Sequence, residues 1–304
     1  MIALVIAAAA IVAGFLIGHA GDKTGAQTLS NSAAAGHLAL RYPSRWQLGS
    51  AAGAAAVPGI SFIDPIVLTA PGRGGGSLAA GEVAGAAGPT LLPAAFRARL
   101  QGAPPPRQPV ALGGLQALSY PDLRLARGAG SMSLYAIPTS AGVATIVCSG
   151  TGAGFRSGCA QVAATLRLVN STAFPLGPDP GYARGLSAAL APLRSSVQSA
   201  QTALGAARAP SGQAAAAAQL ALANTAAANR IGRLIVSPTD RPAHDQLLAA
   251  LQQLAAGYSN AASAARGNRS PAYRAAGQQI AAASAALARA LQGVSALGYR
   301  VSSY

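Results

Sequence analysis

The chain changes character after the segment FPLGPDPG (residues 174–181), beyond which it is rich in alanine and has a helical period to its end. Apolar residues recur there three and four positions apart in four successive segments, a spacing typical of amphipathic helices. These positions are Leu186, Leu190, Leu193, Val197 and Leu204; Leu220, Ala227, Ile231 and Leu234; Leu247, Leu251, Leu254, Tyr258 and Ala265; and Tyr273, Ile280, Leu287, Leu291 and Val294. Short connections force antiparallel neighbours, so residues 182–304 are predicted to form an all-α up-down four-helix bundle.

The breaks between these segments carry helix-start signals, in which a capping side chain precedes a proline of the first turn. The candidate caps are Ser211, Thr239 or Asp240 before Pro242, and Ser270 before Pro271. Because so many seam residues are alanine, we expect tight packing and no internal cofactor cavity. The bundle is therefore interpreted as a spacer, a self-association device or a docking surface for a partner protein.

Residues 37–172 are predicted to form a separate α+β domain, joined to the bundle by a linker at 173–181. The segment HLALRYP alternates apolar and polar positions from His37, as a half-buried strand does. Further strands are predicted at 60–63, 66–69, 115–120, 131–137 and 143–148, and helices at 90–100 and 158–168. Closely spaced strands with few helices favour an antiparallel sheet flanked by helices.

The N-terminal segment MIALVIAAAAIVAGFLIGHA (residues 1–20) has no charged residue and is predicted to be a transmembrane anchor or a signal segment. The best cleavage candidate is Gly18-His19-Ala20, and a retained anchor is favoured over cleavage. The first basic residue, Lys23, follows the apolar run, so a basic stretch is expected upstream of the given start. Residues 21–36 are small and polar and are predicted to be a flexible tether. The bulk of the chain is then extracytoplasmic.

The formal net charge is +15, from 22 basic and 7 acidic residues, and the basic set consists of 21 Arg and one Lys. Codon bias in a GC-rich genome explains the preference for Arg. It does not explain the shortage of acids, so a preference for anionic lipid or polymer stays open. Because the charge is spread along both domains, nucleic-acid binding is not expected.

The two cysteines, Cys148 and Cys159, are separated by ten residues. Their closeness and the expected extracytoplasmic setting favour a structural disulfide. A redox or metal-binding pair is the alternative, but the spacing is far from CxxC and no histidine lies nearby.

No catalytic motif is present, and we predict neither an enzyme nor a cofactor or metal site. The three histidines, His19, His37 and His244, lie outside any recognisable motif. Paired carboxylates for glycoside cleavage would have to come from Asp64, Glu82 and Asp122. The sequences around Asp64 and Asp122 are typical of turns. The candidates for a binding surface are Arg41, Arg45, Trp46, Arg97 and Arg99, although a place in the core is the favoured explanation of Trp46 and ligand stacking the lesser one.

Residues 37–169 contain the successive segments YPSRW, IDPIVL, LLPAAF and ALGGLQALSY, followed by LYAIPTSAGVATIVC and CAQVAATLRL. In this pattern the region resembles the PsbP-like domains. The resemblance implies an α/β/α sandwich of the kind found in exported or membrane-anchored actinobacterial proteins. It also implies a non-enzymatic binding or assembly module, in which the cysteines bridge the last strand to the last helix. It provides no ligand residues.

The sequence thus predicts a single-pass cell-membrane protein whose extracytoplasmic part binds or scaffolds a partner of the cell envelope. Two alternatives stay open. One is an envelope hydrolase acting on cell-wall polymers, and the other is an electrostatic binder of anionic polymer or lipid. The identity of the partner and the oligomeric state are not predicted.

Overall fold

The computed structural model describes residues 27–50, 57–72, 74–127 and 130–300. The strands within these ranges are β1 (Asn31–Ala35), β2 (Leu38–Tyr42), β3 (Gln47–Leu48), β4 (Phe62–Ala70), β5 (Gly76–Val83), β6 (Gln108–Leu112), β7 (Leu115–Arg124), β8 (Ser131–Thr139), β9 (Gly142–Gly150) and β10 (Arg167–Leu168). The helices are α1 (Ala94–Arg97), α2 (Ala153–Ala163), α3 (Pro180–Ala206), α4 (Pro210–Ile231), α5 (Arg241–Arg266) and α6 (Ser270–Ala296). The predicted mixture of an antiparallel sheet with helices is confirmed.

Seven strands form one antiparallel sheet in the order β3-β4-β5-β9-β8-β7-β6. Successive residues of β9 point to opposite faces, so the sheet has a core on each side. Ala144 and Ile146 face a core shared with α2 and with the small β1-β2-β10 sheet. Val143 and Val147 face a second core, which contains Phe96 of α1. We call these two sides the α2 face and the α1 face.

The predicted tether at residues 21–36 is wrong in its second half, because residues 31–35 form β1. This strand pairs with β2 across a turn in which Gly36 has a φ of 53°. Ala33 and Ala35 pack against the core of the α2 face. Their small side chains carry too weak a hydrophobic pattern to mark a strand, and pairing with β2 stabilises it instead.

The predicted membrane segment at residues 1–20 lies outside the described residues. Among the helices that the structure describes, none has both the length and the apolar character required to span a bilayer.

Two predicted helices of the sheet region have different bounds. The helix expected at 90–100 is reduced to α1, since Leu91 has a φ of 53° and Pro93 stands at its N-cap. The helix expected at 158–168 begins earlier, at Ala153, and gives way to β10. In both cases the apolar residues are buried as expected, but backbone geometry sets the ends.

The helices α3 to α6 follow one another as an antiparallel series. At one end, Leu186 near the start of α3 packs in one cluster with Ile231 at the end of α4 and Val294 at the end of α6. At the other end, Ala217 of α4 and Ala276 of α6 pack against the last turns of α5. We call these the proximal and distal ends. The proximal end meets the sheet region, where the Gly88 amide donates to the Pro238 carbonyl over 2.9 Å.

The helix starts lie close to their predicted positions, but the predicted caps are wrong. Ser211 and Ser270 lie inside α4 and α6, and Asp240 stands at the N-cap of α5 without a side-chain hydrogen bond to the helix. Asp179, in the predicted linker, caps α3 by accepting a hydrogen bond from the Tyr182 amide at 2.6 Å. Pro180, Pro242 and Pro271 each stand in the first turn of a helix, where no intrahelical donor is lost. Pro192, in contrast, lies inside α3.

Candidate functional site

A groove opens between α3 and α6, the first and last helices of the bundle, and has a volume of about 510 Å³. Helix α3 packs closely on α4, α4 on α5, and α5 on α6, whereas α3 and α6 do not pack closely on each other. All four helices contribute to the walls. The lining residues are Leu193, Val197, Gln201, Asn224, Leu254, Tyr258, Ser284, Leu287, Ala288, Leu291, Gln292 and Ser295.

The groove is apolar inside, and its polar groups are neutral. Leu193 and Leu254 are buried, while Leu287 and Leu291 are partly buried on α6. None of the twelve lining side chains carries a formal charge at neutral pH. Burial raises the pKa of Tyr258, so this phenol stays protonated as well. Such a surface suits an uncharged or hydrocarbon group and disfavours an ion, which would lose its hydration there.

Asn224 is a buried polar residue in the groove wall, and it is only 2% exposed. Its amide nitrogen donates to the Leu220 carbonyl one helical turn earlier, over 2.8 Å. The Asn224 carbonyl oxygen and the second amide hydrogen remain to bond a ligand.

The expectation of tight packing without a cavity is wrong for one interface of the bundle. Alanines do pack α4, α5 and α6 closely, as in the cluster of Ala217, Ala261, Ala262 and Ala276. The surfaces of α3 and α6 that face each other carry Leu and Val together with Gln, Ser and Ala side chains, and the groove remains open between them. Helical periodicity predicted that Leu193 and Leu287 face inward, but it could not show whether their partners touch.

A second group of buried polar side chains lies at the proximal end. The Tyr299 hydroxyl donates to Asp240 Oδ2 over 2.6 Å and accepts from the Asp179 amide at 2.9 Å. Beside it, the Tyr182 hydroxyl and His244 Nδ1 are 3.2 Å apart, and the Tyr182 and Tyr299 rings meet edge to face. We call these five residues the proximal polar cluster.

The proximal polar cluster shifts the titration of its members mainly through burial. Burial raises the pKa of Asp240, the hydrogen bond from Tyr299 lowers it, and Asp179 raises it. Burial also raises the pKa of Tyr182 to about 12, with Asp240 and Asp245 acting in the same direction. The cluster ties α3, α5 and the segment after α6 together. Its side chains bond one another, and we assign it a structural role.

His244 makes the stability of the bundle depend on pH. Burial lowers the pKa of His244, Asp245 raises it and Arg241 lowers it, so the folded state favours the neutral imidazole. In the unfolded chain this residue takes up a proton below about pH 6.5. The contribution of neutral His244 to the free energy of unfolding is therefore fully present above that pH. It is lost as the pH falls through the lowered folded-state pKa, by at most about 1.4 kcal/mol per pH unit.

We expect His244→Gln to flatten the pH dependence of urea unfolding between pH 7.5 and 5. Glutamine can still bond the Tyr182 hydroxyl, which limits the structural change. Asp240 changes the pH dependence of stability in the opposite direction, but it is present in both proteins, so its effect cancels in the comparison. His37→Gln is the control, since His37 lies in the sheet region and contacts the Val169 carbonyl. A slope that is equal in His244→Gln and the parent protein would contradict the assignment.

The five predicted surface residues do not form one surface. Trp46 is 3% exposed and stacks on Phe155 of α2 at 5.6 Å, so its core interpretation holds for the ring. Arg41 and Arg45 are exposed on the same side of the sheet, and Arg45 borders a shallow depression with Gly152. The remaining two, Arg97 and Arg99, are exposed in and after α1, which covers the opposite face of the sheet.

Of the three acids considered for catalysis, Asp64 and Glu82 lie on the neighbouring strands β4 and β5, where Glu82 pairs with Ile63, and Asp122 on β7 is remote from Glu82. Asp64 and Asp122 are exposed at bulges, where each has a positive φ. Glu82 is buried, and its Oε1 has no hydrogen-bond partner within the described part of the chain. Three strand spacings of about 4.8 Å separate Glu82 from Asp122, more than the 6.5–9.5 Å of an inverting pair. In the described ranges, no group of three or more His, Cys, Asp or Glu could hold a metal ion.

The predicted disulfide is confirmed. Cys148 of β9 and Cys159 of α2 are bonded, with their Cα atoms 6.2 Å apart. Both residues belong to the core of the α2 face, so the bond fastens that helix to the central strand of the sheet.

No protein-family model matches the chain, and neither a curated protein nor a solved structure matches it. The groove has to be interpreted from its own chemistry.

Proposed function

We propose that this chain is a membrane-anchored, extracytoplasmic binding protein of the cell envelope without catalytic activity, and that its groove between α3 and α6 binds an apolar molecule. The uncharged N-terminal segment supports the anchor, and the disulfide is in keeping with an oxidising environment. The likeness of residues 37–169 to PsbP-like domains supports a binding or assembly role for the sheet region. The groove carries the proposal.

The volume of the groove, about 510 Å³, falls within the usual range of small-molecule sites, which is roughly 300–1,000 Å³. It extends along α6 from Ser284 to Ser295, a length of about 16 Å at 1.5 Å per residue. Its shape and lining suit an elongated hydrocarbon such as an acyl or isoprenoid chain. The neutral polar groups Gln201, Gln292 and Asn224 are placed to bond an uncharged head or linker.

The same lining argues against chemistry in the groove. General acid–base and nucleophilic catalysis need a group that changes protonation near neutral pH or a nucleophile beside a base. Tyr258 is the titratable side chain in the wall, and its raised pKa keeps it protonated. The two serines of the wall, Ser284 and Ser295, have no histidine beside them in the lining.

Filling the groove should abolish binding of an uncharged apolar dye. We expect N-phenyl-1-naphthylamine to bind the parent protein with saturable fluorescence enhancement, and Ala288→Trp to weaken that binding at least tenfold. Ala288 is exposed at the groove, so an indole there occupies ligand space without disturbing the buried seams. Ala282→Trp, exposed on α6 outside the lining, is the matched control and should bind as the parent does.

Equal dye binding by the two tryptophan variants would contradict the assignment of the groove. The anchor has its own test, because the full chain should float with vesicles of neutral phosphatidylcholine. A chain that stays in the aqueous fraction would refute the anchor and leave the result for the groove intact.

A further inference from the structure

The groove between α3 and α6 has two rims, and an exposed glutamine marks each of them. Gln201 of α3 and Gln292 of α6 line the groove and are exposed, whereas Leu193 in its interior is buried. Val197 and Leu291, which lie between these extremes, are partly buried. The two glutamines therefore stand where the groove opens to water.

Each rim carries an arginine on the same side of its helix as the glutamine. Arg194 precedes Gln201 by seven positions, and Arg289 precedes Gln292 by three. Residues that are three or seven positions apart lie on one face of an α-helix. Both arginines are exposed, and neither is part of the apolar lining. We call Arg194 and Arg289 the rim arginines.

The opposite flank of α3 faces α4. There Ser196 and Ser199 border a shallow depression together with Leu222 and Ala223 of α4. At about 100° per residue around the helix, Arg194 is about 160° away from Ser196 and about 140° away from Ser199. Arg194 therefore lies on the side of α3 that borders the groove.

The helices supply no carboxylate to the mouth of the groove. The sequence has no acidic residue from Pro180 to Thr239 and none from Gln246 to Arg300, and these two stretches contain all the lining residues. Asp245 of α5 precedes Leu254 of the wall by about two and a half turns, so it lies on the opposite face of that helix. The mouth of the groove is therefore positively charged, while its interior is neutral and apolar.

We propose that the ligand of the groove is an amphiphile with a compact anionic head, a carboxylate or a phosphate, whose hydrocarbon chain lies in the groove while its head stays at the rim arginines. This inference rests on the proposed function of the groove and adds the charge of the ligand to it.

The interior and the mouth of the groove make different demands on the ligand. The apolar walls exclude a charged head, because an ion would lose its hydration there. The mouth accepts one, since guanidinium groups match the oxygens of carboxylates and phosphates and water still reaches them. The neutral glutamines of the rims have amide hydrogens for the same oxygens. Together these demands select an anionic head and disfavour a cationic one.

The test uses the full chain with vesicles of neutral phosphatidylcholine and three single-chain probes that carry a photoreactive diazirine at the end of the chain. Their heads are a carboxylate, a phosphate and an uncharged methyl ester. Mass spectrometry measures the fraction of the protein that is cross-linked at the lining residues. Each probe is compared between protein variants in the same vesicles, so its partition into the bilayer cancels.

We expect the rim variant, Arg194→Gln with Arg289→Gln, to be cross-linked about fivefold less by the carboxylate or phosphate probe, because two exposed ion pairs are lost and each is weak. Cross-linking by the methyl ester should not change. The matched control variant replaces the other arginine of each helix, Arg184→Gln with Arg274→Gln, and should behave as the parent protein. Both of these arginines are exposed, and each lies more than two turns from the lining.

Equal cross-linking of the rim and control variants by both anionic probes would overturn the inference. The same loss with the methyl ester would also overturn it, because binding of an uncharged head does not depend on the charge of the rims. Absence of cross-linking at the lining with all three probes would instead refute the groove as a binding site, and the proposed function would fail with it. If the inference holds, the anionic probe with the larger loss in the rim variant identifies the head as a carboxylate or a phosphate.

Discussion

The free energy of unfolding of the Cys148→Ala, Cys159→Ala double variant is expected to be about 3 kcal/mol lower than that of the disulfide-bonded protein. The bond closes a short loop, since the two residues are 11 positions apart, and it restricts the unfolded chain. Both sulfur atoms also fill space in the core of the α2 face, where Cys159 is fully buried. Urea unfolding followed by far-ultraviolet circular dichroism measures the change.

The parent protein in reducing buffer provides the matched comparison for the double variant. It should show nearly the same loss, because it lacks the same bond but keeps both side chains. A loss below about 1 kcal/mol in either sample would mean that the loop is already ordered in the unfolded chain. The Trp46 fluorescence reports on the same region, since this ring stacks on Phe155 of the fastened helix.

Tyr299→Phe is expected to lower the free energy of unfolding by about 2–3 kcal/mol at pH 7. The hydroxyl that is lost donates to the buried Asp240 carboxylate and accepts from the Asp179 amide. The ring, which packs against Tyr182, is kept. The cost therefore arises from a buried carboxylate that loses a donor, rather than from a cavity.

The effect of Tyr299→Phe should shrink as the pH is lowered. Removing the donor raises the pKa of Asp240 further, so the carboxyl becomes protonated more readily in the folded variant. A protonated Asp240 needs no charge-stabilising donor, and the two proteins converge in acid. Tyr273→Phe, half-buried at the other end of the bundle, should stay within about 0.5 kcal/mol of the parent at every pH. A difference in the free energy of unfolding that does not change with pH would show that the loss in Tyr299→Phe does not arise from the Asp240 carboxylate.

Local sequence signals predicted most of the elements. The apolar period from Leu186 to Val294 marks four helices, and the prolines at 242 and 271 mark two of their starts. The alternation from Leu38 to Tyr42 marks β2 because the pattern follows one face of the sheet. The pairing of Cys148 with Cys159 was accessible because their separation is short. These features depend on residues close together in the chain.

Strands β5 and β6 were not predicted, although β6 forms a local hairpin with β7. The other features that were missed depend on contacts between distant segments. Strand β1 has only small side chains and exists because β2 pairs with it. The groove is a property of the spacing between α3 and α6, about which the period of each helix says nothing. The contact of Tyr182 with His244 spans 62 residues, and Asp240 meets Tyr299 across 59. No local pattern could bring these groups together.

Pro192 stands one position before Leu193, the first residue of α3 in the groove wall. Proline lacks the amide hydrogen that would bond the carbonyl of Ala188, so the helix has a weakened turn at this level. The part of α3 before it is packed at the proximal end, where Tyr182 and Leu186 belong to the same hydrophobic cluster as Val294. The part after it packs on α4, and its Ala200 is buried. The missing hydrogen bond therefore leaves the Ala188 carbonyl without its helical donor just before α3 enters the groove wall.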